Sequence, residues 1–328
     1  GPQWYDSSVH MPAAHAIDVR ALTKIYRRTG QPEVRAVDGL TFSVPRGAIF
    51  GLLGPNGAGK STTLRVLTTQ LRPTSGTALV GGFDVVSQPL EVRRRIAVVI
   101  QEQAADLLLS VRDNLLGFAR FHQVDRDEIR RRTARVLEEF DLVEYENRKV
   151  QDMSGGFRRR VQVAKMFMVD TPVMFLDEFS TGMDPILKRS VMSALRGEAG
   201  RGRTIVLTTQ ILSEAEALCD DILIVDHGRE LARGDLHALK LLSSGVYEVS
   251  MTFDVLPEGL EAELRALRPL RLGISRATVQ IALKESERDV LALVSRLAAR
   301  GHLLRVEIGG ASLEDVFVEL TGRVRRGA

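Results

Sequence analysis

The stretch Gly54-Pro55-Asn56-Gly57-Ala58-Gly59-Lys60-Ser61-Thr62 narrows the possible folds more than any other. Its glycines let the backbone curl so that successive N–H groups face phosphate oxygens. The apolar run Ala48–Leu53 before it reads as a buried strand, and Ser61–Gln70 after it as a helix. That helix adds favourable partial charge at its N-terminus. Strand, loop and helix in this order, with Lys-Ser at the turn, point to a cradle for nucleotide phosphates. Lys60 is placed to reach the β- and γ-phosphates, and the Ser61 hydroxyl to ligate Mg²⁺. Further apolar strands at Val173–Leu176, Thr204–Leu207 and Ile222–Val225 alternate with helices, the rhythm of a parallel sheet.

The rest of the chain divides by pattern. Ile17–Leu22 and Val34–Val44 read as strands of an N-terminal antiparallel β subdomain, with Gly76–Val80 and Ile96–Ile100 as further strands. Residues 105–150 read as a helical subdomain, where Asp127–Leu142 puts Ile129, Val136, Leu137 and Phe140 on one stripe. Beyond Gly245 the pattern changes. Val246–Phe253 is a strand, Gly259–Leu267 a helix, Leu270–Ser275 and Thr278–Leu283 strands, Glu287–Arg300 a helix and Leu303–Ile308 a strand. This order predicts a small α+β ferredoxin-like domain, followed by a helix over Ser312–Leu320. With 328 residues, two domains are expected: one over 11–240 and an accessory one over 245–322, with 323–328 a basic tail. Residues 1–10 read as a protease scar with cloning remnants, and the native start is expected near Met11.

Composition excludes several classes. Runs such as Ile96–Ile100 fall far short of the ~18 apolar residues of a transmembrane helix, so any membrane work requires another polypeptide to span it. A net charge of +3 gives no argument for a nucleic-acid partner. The single cysteine, Cys219, precludes an internal disulfide framework and fits a reducing cytoplasm. It reads as a buried small hydrophobe, and the scattered histidines lack metal-ligand spacing. The arginine runs 93–95, 130–132 and 158–160 read as solvated faces.

Two further motifs carry chemistry. Val173-Met174-Phe175-Leu176-Asp177-Glu178 is an apolar strand ending in two carboxylates, a costly arrangement unless something cationic awaits them. Asp177 would hold Mg²⁺ through water, and Glu178 would polarise an attacking water as general base. In Asp152-Met153-Ser154-Gly155-Gly156-Phe157-Arg158-Arg159-Arg160, Ser154 is a good helix N-cap and the glycines leave N–H groups open.

This last segment resembles the signature motif of ABC transporter ATPases, and the resemblance continues in register. Asp177–Pro185 looks like the family's Walker B motif and D-loop, Gln101 falls at its Q-loop glutamine, and Tyr26 at the aromatic residue that stacks on adenine. The resemblance covers residues 17 to about 235. It implies an α/β P-loop NTPase that binds ATP and Mg²⁺, with the metal held by Ser61, Gln101 and Asp177. It also implies a dimer, either a homodimer or a paired ATPase subunit, with ATP sandwiched between subunits. Ser154, Gly155 and Gly156 would touch a γ-phosphate in trans, and Asp184 would report across the same interface. The ending Ser312–Gly322 looks like that of bacterial drug-, lipid- and polysaccharide-exporting subunits. In that branch the partner is a multi-span permease on a separate chain, and the ATPase sits peripherally on the cytoplasmic face of the membrane. A regulatory nucleotide-binding module with little hydrolysis, or coupling to signalling or envelope remodelling, is the alternative.

Three positions depart from the family. Gln210 stands where the switch histidine is usual. An amide can still hydrogen-bond phosphate or water but carries no charge, and losing ~1–2 kcal/mol of transition-state stabilisation slows hydrolysis about 5–30-fold. Phe157 replaces the usual glutamine of the signature, and Phe179 the proline after the Walker B glutamate. Both are expected to be packing changes at the dimer interface.

Overall fold

Strands buried on both faces read as continuous apolar runs, and here IFGLL at Ile49–Leu53 and VMFLD at Val173–Asp177 are buried at every residue. The computed structural model describes residues 15–27, 29–30, 32–99, 105–243 and 245–326. The chain divides into two units between Ala232 and Arg233.

In chain order the first unit runs β1 (His15–Tyr26), β2 (Val34–Pro45), β3 (Ile49–Leu53), α1 (Lys60–Leu67), β4 (Ser75–Val80), β5 (Phe83–Asp84), α2 (Pro89–Arg93) and β6 (Ile96–Val99). Next come α3 (Val111–Phe121), α4 (Arg126–Glu139), α5 (Gly155–Met166), β7 (Val173–Asp177) and α6 (Pro185–Gly200). It ends with β8 (Thr204–Thr209), α7 (Leu212–Leu218), β9 (Asp221–Asp226) and β10 (Arg229–Gly234), the last spanning the division. Six strands form one sheet in the order β10-β9-β3-β8-β7-β6. The pairs β6/β7, β7/β8, β8/β3 and β3/β9 are parallel. His227 and Gly228, both at positive φ (47° and 77°), make the turn that adds β10. A second sheet, β2-β1-β4-β5, is antiparallel throughout. Phe42 of β2 stacks on Phe50 of β3 at 5.3 Å between ring centroids, joining the two sheets in one core.

The helical stretch follows its stripe. Ile129, Thr133, Val136 and Leu137 are the buried face of α4, and Phe140 packs on Phe167 at 5.0 Å. Ser110, Asp125 and Ser154 cap α3, α4 and α5 through their side-chain oxygens. The arginine runs do not all stay in solvent. Arg159 and Arg160 are buried, Arg159 against the main chain at the end of β7 and Arg160 against Asp141 and Asp184, and Arg132 is held by Glu128 and Asp170.

The second unit contains α8 (Leu236–Leu241), β11 (Val246–Phe253), α9 (Leu260–Ala266), β12 (Arg271–Ser275), β13 (Thr278–Lys284), α10 (Glu287–Ala298), β14 (Leu303–Gly310) and α11 (Leu313–Arg326). Its sheet order is β12-β13-β11-β14, and every pair is antiparallel. Val249, Met251 and Phe253 alternate into a core with Leu264, Ile281 and Leu297. Helix α11 runs on to Arg326, through residues the sequence reading assigned to a tail. Among the described residues, no helix is long and apolar enough to cross a membrane.

Candidate functional site

Strand β8 lies between β3 and β7, so three carboxyl ends meet. Leu53 pairs with Thr209, and Asp177 with Thr208. Ligands of open parallel sheets bind beyond these ends, and every charged group of the site is there.

The glycine loop leaves β3 under tight packing. A Cβ on Gly54 would sit 2.2 Å from the Val225 carbonyl oxygen, and one on Gly59 2.2 Å from that of Ala36. Gly57, at φ 83°, has nothing within 4 Å of its Cβ position. The outer glycines press the loop against the sheet while the middle one faces open space, which suits a cradle for a bulky anion. Pro55 and Asn56 form its turn, where the carbonyl of Pro55 accepts from the Ala58 N–H at 3.1 Å. Gly59 begins α1 with no side-chain cap, so the N–H groups around Ser61 and Thr62 remain available to an acceptor. Lys60 is buried, and its Nζ donates to the carbonyls of Gly54 at 2.8 Å and Pro55 at 3.0 Å. Burial pushes its ammonium below the ordinary lysine range, and Glu178 and Asp177 oppose that shift.

Asp177 closes β7, buried, with its Oδ1 accepting from the Thr208 hydroxyl and, at 3.3 Å, from the Ser61 hydroxyl. Glu178 follows at φ 48°, the left-handed region, its N–H donating to the Thr208 carbonyl at 3.1 Å. The Arg159 guanidinium donates to the main-chain carbonyls of Asp177 and, at 2.8 Å, Glu178. Helix α5 thus grips the peptide that aims the two carboxylates. Gln210 follows β8, exposed at the mouth of the site. The preceding Thr209 donates to Glu214 at 3.0 Å, and Glu214 also accepts from Ser180 at 2.6 Å and Lys188 at 2.9 Å. One buried carboxylate therefore ties the switch strand to the D-loop and α6. The sequence reading did not single out Thr208, Arg159 or Glu214. The polar pair ending an apolar strand was a usable signal for Thr208, whereas Glu214 sits in an ordinary polar helix start.

The structure brings Gly54–Thr62, Asp177, Glu178 and Gln210 to the carboxyl ends of β3, β7 and β8. Ser154, Gly155 and Gly156 open α5, where the Ser154 hydroxyl accepts from the Phe157 N–H at 3.4 Å. A Cβ on Gly156 would lie 2.2 Å from the Gly182 carbonyl oxygen, so the signature rests on the D-loop backbone. Asp184 caps α6, accepting from the N–H groups of Ile186 and Leu187 at 3.0 and 2.9 Å, and lies 3.4 Å from Arg160. Those N–H groups, Leu187 foremost, hold its carboxyl below the usual carboxylate range. Tyr26 ends β1, half-buried, with Lys24 Nζ 5.5 Å from its ring centroid. Gln101 lies outside the described residues. Phe179 is fully buried inside its own chain, so it is core rather than surface packing. Phe157 packs on Tyr145 at 4.6 Å and under Arg160 at 4.3 Å. Cys219 is buried, and burial pushes its thiol far up.

The ABC transporter family's sequence profile matches residues 37–181. The daunorubicin/doxorubicin resistance ATP-binding protein DrrA of Streptomyces peucetius is 39% identical over 94% of this chain and 92% of its own. The Nod factor export ATP-binding protein I of Ralstonia nicotianae is 36% identical over 96% and 97%. Among solved structures, an ATP-binding subunit of an ABC transporter superposes with a TM-score of 0.64 at 27% identity, over 69% of this chain and 92% of that one. A dimeric cassette in a post-hydrolysis state with ADP and Pi shares the fold, with a TM-score of 0.62 at 23% identity over 67% and 98%. With the glycine loop, paired carboxylates and switch strand at one end of the parallel strands, these likenesses show that the chain belongs to the ABC transporter family, as an ATP-binding ATPase.

Proposed function

We propose that this chain is the ATP-hydrolysing subunit of a two-component exporter, driving a separate multi-span permease by closing a dimer on ATP. The observation that carries it is the meeting of Lys60, Ser61, Asp177, Glu178 and Gln210 at the ends of β3, β7 and β8. The α-helical face of residues 105–150 would meet the permease at the cytoplasmic face of the membrane. The export role rests on relatives named for drug resistance and Nod factor export.

The residues divide the work. Backbone N–H groups from Gly57 to Thr62 and the Lys60 ammonium take the phosphates, Lys60 exchanging its carbonyl partners for phosphate oxygens. Tyr26 offers a face to the adenine. Ser61 and Asp177, with oxygen atoms 3.3 Å apart, form a hard-oxygen pair that fits Mg²⁺, and the family resemblance alone adds Gln101 to this set. When bound, the ion would offset the charge developing on the phosphates. Glu178 accepts the proton of the attacking water, and Gln210 orients that water as a neutral donor and acceptor. Ser154, Gly155 and Gly156 of a second copy close the site over the γ-phosphate, with Asp184 at the seam. The accessory unit is read as ferredoxin-like, a reading supported by its strand order. The domain limits 11–240 and 245–322 are part of the proposal.

Phosphate release by the purified chain with its permease tests the reading. Glu178→Gln is expected to abolish release while leaving ATP affinity intact. Release that persists in this variant refutes Glu178 as the base.

A further inference from the structure

Strand β14 is the last strand of the accessory sheet, hydrogen-bonded to β11 on one side. Among the described residues no strand pairs on its other side, which is an edge, a row of backbone N–H and C=O groups able to receive another strand. Edges are usually blunted by prolines, inward-pointing charges or a covering helix. This one carries exposed apolar residues: Leu304 is 60% exposed, Val306 36% and Ile308 41%. Val306 pairs with Met251 and Ile308 with Val249, so they continue the core face of the sheet past its covered part. Arg305 and Glu307 alternate onto the opposite face and pair with each other along the strand.

The segment Leu304-Arg305-Val306-Glu307-Ile308 is self-complementary about its centre. If two copies pair antiparallel with the two-fold axis at Val306, each Val306 meets its own counterpart. Arg305 then lies opposite Glu307 of the other copy, while Leu304, at the β-bulge where the register steps from Arg305 to Leu303, comes beside Ile308. Every cross-strand pair is apolar on apolar or opposite in charge, and the charged pair occurs twice. A shift of one residue sets apolar side chains opposite charged ones, and a shift of two sets Arg305 opposite Arg305 or Glu307 opposite Glu307, so a single register satisfies both faces. Cross-strand pairs of these kinds stabilise a sheet, while like charges opposite one another destabilise it. An interface that presents the same patch on both subunits is the form a two-fold dimer requires.

We propose that β14 is a dimerisation edge, on which a second copy of this chain adds its own β14 antiparallel about Val306 and extends the four-stranded sheet to eight strands. This contact needs no nucleotide and uses none of the ATP-site residues, so it stands or falls separately from the ATP sandwich.

Sedimentation of the full chain without nucleotide tests it. The wild type is expected to form a concentration-dependent dimer. Arg305→Glu places two like-charge pairs across the strand and is expected to weaken the dimer about tenfold or more. Arg305→Glu combined with Glu307→Arg restores opposite charges and is expected to restore the dimer. Oxidation reads the register: Val306→Cys is expected to cross-link between copies and Leu304→Cys is not, with Cys219 silent in the interior. All four positions are at the surface, so loss of folding does not confound the result. A monomer at every concentration, a dimer indifferent to Arg305→Glu, or equal cross-linking at 304 and 306 overturns the proposal. The ATP-dependent dimer of Glu178→Gln is measured separately with ATP, and its loss alone refutes only the sandwich.

Discussion

Glu214→Ala tests the carboxylate that holds the switch strand, the D-loop and α6 together. Glu214 is 3% exposed and accepts from Ser180 at 2.6 Å, Lys188 at 2.9 Å and Thr209 at 3.0 Å. Alanine leaves two buried hydroxyls and an ammonium without their acceptor. Removing one partner of a buried charge pair costs about 3–5 kcal/mol. Lys188 keeps 27% of its side chain in solvent, and water there takes up part of the loss, which puts the cost near the lower figure, about 3 kcal/mol. For a unit of this size, each kcal/mol lowers the melting temperature by roughly 2–4 °C, so a drop of about 6–12 °C is expected. Phosphate release should fall more than ATP affinity, because Thr209 precedes Gln210 and Ser180 leads into the D-loop, while the glycine loop is untouched. Thermal unfolding, nucleotide binding and phosphate release on the same preparation measure all three. Glu214→Gln retains the shape and one acceptor and should lie between. A melting temperature within about 2 °C of wild type, with unchanged turnover, refutes the role given to this network.

Other expectations follow from single contacts. Gln210→His supplies a charged donor and should raise turnover about 5–30-fold in steady-state phosphate release; unchanged turnover shows that the amide costs nothing. Gly156→Ala drives a Cβ to 2.2 Å from the Gly182 carbonyl oxygen, so the D-loop must shift, and phosphate release should be lost while single-chain ATP affinity is kept. Tyr26→Ala should raise the ATP dissociation constant measured by calorimetry, and an unmoved constant removes the stacking role. The Asp184 cap contributes stability above its ordinary value of 3.8 and loses it as pH falls through its lowered folded value. Asp184→Asn should therefore flatten the acid limb of unfolding curves.

Much of the site was legible because its elements are locally self-sufficient. A glycine loop between a wholly apolar strand and a helix needs no distant partner to be recognised, and β7 announces itself by ending in Asp177-Glu178. What the sequence hid depends on what packs over it. Arg158-Arg159-Arg160 reads as a wetted face, yet α5 buries two of the three: Arg159 meets the main-chain carbonyls at the end of β7, and Arg160 meets Asp141 and Asp184. Glu214 looks like any first-turn acid, and its meaning comes from Ser180 and Lys188, far away in the chain. Phe179 replaces a proline that would restrict the turn, and becomes core. Leu304, Val306 and Ile308 alternate like a half-buried strand, but only the sheet order reveals that this strand is an edge.

The central claim is that each ATP is hydrolysed between Lys60 and Glu178 of one copy and Ser154 of another. Mixing two inactive variants tests it most directly. Lys60→Ala destroys one wall of the site and Ser154→Arg the other. In a mixed dimer one site carries both defects and the other carries none. An equal mixture with the permease should regain about a quarter of wild-type phosphate release, since half the dimers are mixed and each has one working site. If the mixture releases no more phosphate than either variant alone, the site is not shared between copies.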